Sequence, residues 1–122
     1  MNCPKCSSEM ISVNFDGIEV DRCTKCRGIW FDMLEAIRLK ERDGSEIIDT
    51  GEPRIGEQYN KIDHINCPVC DEPLLRMVDA KHPHIWYEEC SLCHGTFFDA
   101  GEFKDFKDRQ WSEFIKDLMT KK

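Results

Sequence analysis

Four Cys-x-x-Cys pairs, one word spelled twice, and an Asp-Gly turn between alternating apolar runs predict the fold class. It is a small, metal-stabilised α+β protein made of two tandem units, each a β-hairpin with two cysteine knuckles followed by a helix. The word is CTKCRGIWFDMLE at residues 23–35, and it returns as CSLCHGTFFDAGE at residues 90–102. Such internal repetition sets the architecture before any single element is considered.

The cysteines come first. Eight of them in 122 residues mean either disulfides or metal ligands. Disulfides need an oxidising compartment, and export needs a leader. The chain opens MNCPKC, with no basic segment and no apolar segment ahead of its first cysteine. No run of eighteen apolar residues exists to cross a membrane. A cytoplasmic, reducing location is therefore expected, where paired cysteines usually signify metal.

The two halves align on these cysteines. Cys3 and Cys6 correspond to Cys67 and Cys70 at an offset of 64, and Cys23 and Cys26 to Cys90 and Cys93 at an offset of 67. Pro4 matches Pro68; Gly28, Phe31, Asp32 and Glu35 match Gly95, Phe98, Asp99 and Glu102. Trp30 becomes Phe97. The spacer between cysteine pairs is 16 residues in the first copy and 19 in the second. Both suit a four-cysteine zinc site, in which two tight knuckles face each other across one tetrahedral ion. The predicted ligands are Cys3, Cys6, Cys23 and Cys26 for one zinc, and Cys67, Cys70, Cys90 and Cys93 for a second. Units this small bury too little surface to fold by core alone. Zinc at such a site contributes roughly 10–16 kcal/mol of apparent folding free energy.

The elements follow in chain order. Asp16-Gly17 is a type I′ hairpin signal. It sets Phe15 opposite Ile18, Val13 opposite Val20 and Ile11 opposite Arg22, so that apolar partners share a face. Asp32 followed three residues later by Glu35 reads as a capping box, launching a helix over about 33–43 that stops before Gly44. Residues 44–66 are polar and carry Gly and Pro; they are expected to be a mostly flexible or lightly docked linker. In the second spacer Leu75 and Met77 are expected to pair toward Tyr87 and Ile85 around a longer turn, DAKHPH. Asp99 and Glu102 repeat the capping box and open a longer helix from about residue 100 to near the C-terminus. That helix carries Phe103, Phe106, Trp111, Phe114, Ile115 and Leu118 on one side, with Lys121 and Lys122 at the negative end of its dipole. The predicted organisation is a first unit at 1–43, a linker at 44–66 and a second unit at 67–122.

The pattern C-P-x-C followed by C-x-x-C-x-G-x-W-h-D-x-x-E, with h apolar, resembles the small bacterial zinc-ribbon family named after transcription factor TFIIB. The first copy matches throughout, and the second departs at Phe97. The resemblance implies two tandem zinc ribbons, with the eight cysteines as ligands. Rubredoxin iron sites also use two such knuckles, but place glycine directly after the second cysteine. Here Ser7, Arg27, Asp71 and His94 stand there, which favours zinc.

Two complete thiolate quartets leave no open coordination position, so structural zinc is expected rather than catalytic zinc. No Ser, Cys or carboxylate pairs with a His in a catalytic pattern, and neither an enzymatic activity nor a small-molecule substrate is expected. The formal charge is −7, and eight thiolates on two divalent ions make the protein more acidic still. That field disfavours nucleic acid. Lys5, Arg22, Lys25 and Arg27 cluster near the first site and read as a solvated rim. His94, next to Cys93, is within reach to donate to a thiolate but is not needed as a ligand; His82 and His84 are expected to sit in an exposed turn, and Trp86 to be partly exposed. The expected role is a protein–protein interaction or regulatory adaptor module. The alternatives are a nucleic-acid-associated, transcription-linked regulator and, third, a thiol–zinc redox switch.

Overall fold

A computed structural model describes residues 1–62, 64–79 and 82–107. Its first hairpin, β1 (Met10–Phe15) and β2 (Ile18–Cys23), pairs as the turn chemistry requires: Phe15 with Ile18, Val13 with Val20, Ile11 with Arg22. Asp16 and Gly17 both take positive φ, 53° and 83°, as a type I′ turn demands. A short third strand, β3 (Ile29–Phe31), lies against β2. The second copy repeats the arrangement with β4 (Leu74–Asp79), β5 (His82–Cys90) and β6 (Thr96–Phe98).

The two copies do not stand apart. β3 pairs antiparallel with β6, giving one six-stranded sheet in the order β1-β2-β3-β6-β5-β4. At its centre Trp30 lies opposite Phe97. These are equivalent positions of the repeated word, so a local two-fold axis relates the ribbons.

The shared sheet buries both faces. One carries Ile29, Phe31 and Phe98 against Ile18, Val20, Leu39, Ile48, Phe103 and Phe106. Phe98 meets Phe31 edge-on at 5.4 Å and stacks on Tyr87 at 5.1 Å. The other carries Trp30 and Phe97 among the buried cysteines, with Met10, Ile65 and Leu74. Period-two alternation along two three-residue strands thus serves two separate cores.

Gly28 and Gly95 explain why the word needs a glycine. A Cβ on Gly28 would lie 2.3 Å from the Phe97 ring, and one on Gly95 would lie 2.2 Å from the Trp30 ring. Each copy's glycine makes room for the other copy's aromatic side chain.

Several expectations are corrected. The first helix, α1, spans only Glu35–Lys40, because Leu34 takes a left-handed φ of 70° ahead of it. Half of the capping box forms there: Asp32 N–H donates to Glu35 Oε1 at 2.9 Å, while no side chain caps the helix. Segment 44–66 is not a loose tether. It forms a 3₁₀ turn, Ser45–Ile48, and a helix, α2 (Pro53–Asn60). Ser45, Ile48 and Asp49 are buried, and Gly56 packs so tightly on Ala100 that a Cβ would lie 1.9 Å from its carbonyl oxygen.

In the second hairpin Leu75 faces Glu89 and Met77 faces Tyr87, two residues from the expected register. A register shift between Val78 and Asp79 absorbs the extra residues within the ladder. The final helix, α3, is described over residues 102–107. The expectations for Trp111, Phe114, Ile115, Leu118, Lys121 and Lys122 lie outside the described residues, as do those for the side chains of Ile85, His82 and His84.

Candidate metal centres

Each quartet is assembled from a knuckle before the hairpin and a knuckle after it. Ser7 N–H closes the first on Cys3 O at 3.0 Å, and Asp71 and His94 close theirs on Cys67 O and Cys90 O at 2.9 Å. Residues Ser7, Arg27, Asp71 and His94 all take φ between 60° and 65°. This is the left-handed region that glycine enters most readily, so each knuckle closes on a non-glycine residue held there.

The Sγ atoms of Cys3, Cys6, Cys23 and Cys26 lie within 4.8 Å of one another, and so do those of Cys67, Cys70, Cys90 and Cys93. Cys3 and Cys26 are 3.7 Å apart, Cys67 and Cys93 3.8 Å. A tetrahedron of sulfurs about 2.3 Å from a central zinc has edges of about 3.8 Å. Those separations fit zinc and are far too long for disulfide bonds of about 2.05 Å.

Backbone N–H groups point at the sulfurs. Lys25 and Cys26 donate to Cys23 Sγ at 3.3 and 3.4 Å, and Val69 and Cys70 donate to Cys67 Sγ at 3.4 and 3.3 Å. Such donors favour thiolates. In the first quartet the hydrogen bond with Cys26 pulls the Cys3 thiol down to about 5 and pushes Cys26 up. A divalent ion at the centre would take over the role of that shared proton. Four thiolates with no open position suit an ion whose role is structural, joining two knuckles.

Between the centres lies a charge network that the sequence does not announce. Lys5, expected on a solvated rim, has a side chain with 0% exposure. Its Nζ donates to Asp99 Oδ2 at 2.6 Å and Tyr59 O at 3.0 Å, and lies 3.1 Å from Glu88 Oε1. Arg76 donates to Asn60 O and approaches Glu88 at 3.7 Å. The two cations thus also cover the carbonyl end of α2, where positive charge is favoured.

Burial pushes Glu88 up to about 7, despite Lys5 nearby. Burial, then the Asp99 charge, pushes Glu102 up to about 9. At neutral pH Glu102 holds its proton and Glu88 stands near its midpoint, while Lys5 lies against Glu88 and Asp99 and Arg76 against Glu88. The basic rim of the first ribbon shrinks accordingly. Arg22 is half-buried and donates to Ile48 O at 3.0 Å, leaving Lys25 and Arg27 exposed.

Asp99 therefore does not cap α3. Asp49, 1% exposed, does so from the linker, accepting Gly101 N–H at 2.9 Å and Lys104 N–H at 3.1 Å. Burial pushes its pKa up, against these donors. His94 is exposed, its Nδ1 3.8 Å from Glu89, and so does not support a thiolate. Trp86 is 37% exposed, under the Arg76 guanidinium at 5.6 Å. Among the described residues no helix is long and apolar enough to cross a membrane.

Neither curated proteins nor solved structures gave a match to the chain. Residues 2–42 match the family model of the TFIIB-type zinc ribbon, described as transcription factor zinc-finger. With that ligand set repeated at residues 67–93, the protein carries a zinc-binding zinc-ribbon domain and a second quartet equally placed to hold zinc.

Proposed function

We propose that the protein is a non-enzymatic interaction module of a reducing compartment, in which two zinc ions stiffen a sheet that presents an apolar ledge to another protein. The observation that carries this reading is Leu34. It takes φ of 70°, a conformation that costs a non-glycine residue about 1–2 kcal/mol, and it is 59% exposed. The second copy places Gly101, φ 85°, at the equivalent position. A strained, exposed leucine where a glycine would serve the fold points to a use outside the fold. Met33 and Ile37 beside it are 55% and 48% exposed. They border a groove of about 330 Å³ floored by Tyr87, Phe98 and Phe106, the kind of patch that receives an apolar side chain.

The test is Leu34→Gly in the tagged full chain, captured from its own cells with and without nuclease. The variant should be at least as stable as wild type, and should lose a stoichiometric protein partner that survives nuclease. A partner retained by the variant would rule out the ledge.

A second reading rests on the matched family's description. In it, Lys25 and Arg27 contact nucleic acid in a transcription-linked role. Co-purified nucleic acid, released by salt and lost in Lys25→Glu/Arg27→Glu, would favour it.

A further inference from the structure

We infer that the two metal sites load as one cooperative unit, with Lys5 as the strap that couples them. Lys5 sits in the first knuckle, between two ligands of the first quartet, so a metal there fixes its backbone. Its ammonium ends in the second ribbon, on Asp99 just beyond β6 and on Glu88 two residues before the ligand Cys90. Emptying the first quartet frees the knuckle and withdraws the cation. Glu88 and Asp99, 3% and 1% exposed, then lose the ammonium that bridges them, and breaking a buried ion pair by withdrawing one partner is strongly destabilising.

Packing acts in the same sense. Phe97 rests on Gly28, two residues beyond Cys26, and Trp30 rests on Gly95, two residues beyond Cys93. Each quartet thus positions the seat of the other ribbon's ring, and the rings lie side by side at the shared β3–β6 seam. A knuckle that loses its metal loses its shape, because ligand geometry and folding are one equilibrium at such sites.

The strap runs one way only. The second copy has Val69 where the first has Lys5, and Val69 is 56% exposed. Linkage nevertheless makes the effect mutual: if the first metal strengthens the second site, the second strengthens the first by the same factor.

The experiment is native mass spectrometry of the full two-zinc chain titrated with EDTA, counting chains with two, one and no zinc. Independent equal sites would put roughly half the chains in the one-zinc form at the midpoint; coupling of about a hundredfold lowers that to about a tenth. We expect the lower figure for wild type. Lys5→Met should raise the one-zinc fraction toward half. Asp99→Asn, which keeps the shape but removes the charge, should raise it part of the way.

A wild-type one-zinc fraction near half overturns the cooperative unit. Strict two-or-none release in Lys5→Met overturns the strap. Should Lys5→Met fail to fold, Asp99→Asn decides: unchanged two-or-none release there overturns the strap as well.

Discussion

Replacing Gly95 by alanine tests whether the ribbons truly interlock. The new methyl carbon would lie 2.2 Å from Trp30 Cζ2 and 2.9 Å from Cε2 and Cη2. These atoms belong to a rigid ring with 0% exposure, so no flexible tip can swing aside. Overpacking of this kind costs about 1–3 kcal/mol, and the upper end is expected because the ring is pinned at the central strand pair. Gly95 has no positive φ, so the penalty is steric and not conformational.

Trp30→Phe exchanges the indole for a smaller ring and withdraws its outer end, where Cζ2 and Cη2 lie against Gly95. Alone it leaves a void and should cost on the order of 2 kcal/mol. In the double variant the alanine methyl enters that space, and the combined cost should fall short of the sum by about 2 kcal/mol. Guanidinium unfolding followed by circular dichroism, at one fixed saturating free-zinc level, measures all three. Additivity within about 0.5 kcal/mol would refute the reciprocal seating of ring and glycine.

Three further outcomes follow from the same contacts. Asp49→Ala removes two hydrogen bonds from the start of α3 and should cost about 2 kcal/mol in the same assay; a change near zero would mean that another group caps α3. Glu102, held up at about 9 against an ordinary 4.5, keeps its proton when folded and releases it when unfolded. Its contribution is complete below pH 4.5 and declines by up to about 1.4 kcal/mol per pH unit up to about 9. Stability of wild type between pH 6.5 and 9 at saturating zinc should thus fall more steeply than that of Glu102→Gln; parallel profiles would refute the protonated Glu102. Stripping zinc with EDTA should abolish the circular dichroism of the folded chain, because about 10–16 kcal/mol of apparent folding free energy leaves with each ion; a native spectrum without metal would sink the structural role.

What the sequence discloses is what short-range chemistry decides. Asp16-Gly17 dictates its turn, and the turn dictates every pair of the first hairpin. A Cys-x-x-Cys knuckle is also a local object, so its spacing names the cysteines that the structure gathers into quartets. What stays hidden depends on contacts between the copies. Lys5 looks like a surface charge because its carboxylates lie more than eighty residues away. Asp99 looks like a helix cap because its neighbours have the pattern of one, yet Lys5 claims its side chain and Asp49 caps instead. The joined sheet did leave a trace. Gly28 and Gly95 each stand directly before a short apolar strand, and a glycine there signals a close approach by something large. The difference between Lys5 and Val69 is a second trace, since a repeat that departs from itself marks where the copies face different surroundings.

The seam at β3 and β6 also gives the chain a history on the ribosome. Until Phe98 has emerged, β3 is an open strand edge that carries Trp30 and Phe31, the sort of surface on which chains adhere to one another. The equivalent positions of the two words are separated by 67 residues, and at about 5–20 residues per second that interval lasts roughly 3–13 s. Throughout it, the first ribbon's most adhesive edge waits for the one partner made to fit it, and a neighbouring nascent chain of the same sequence offers the same fit in the wrong molecule.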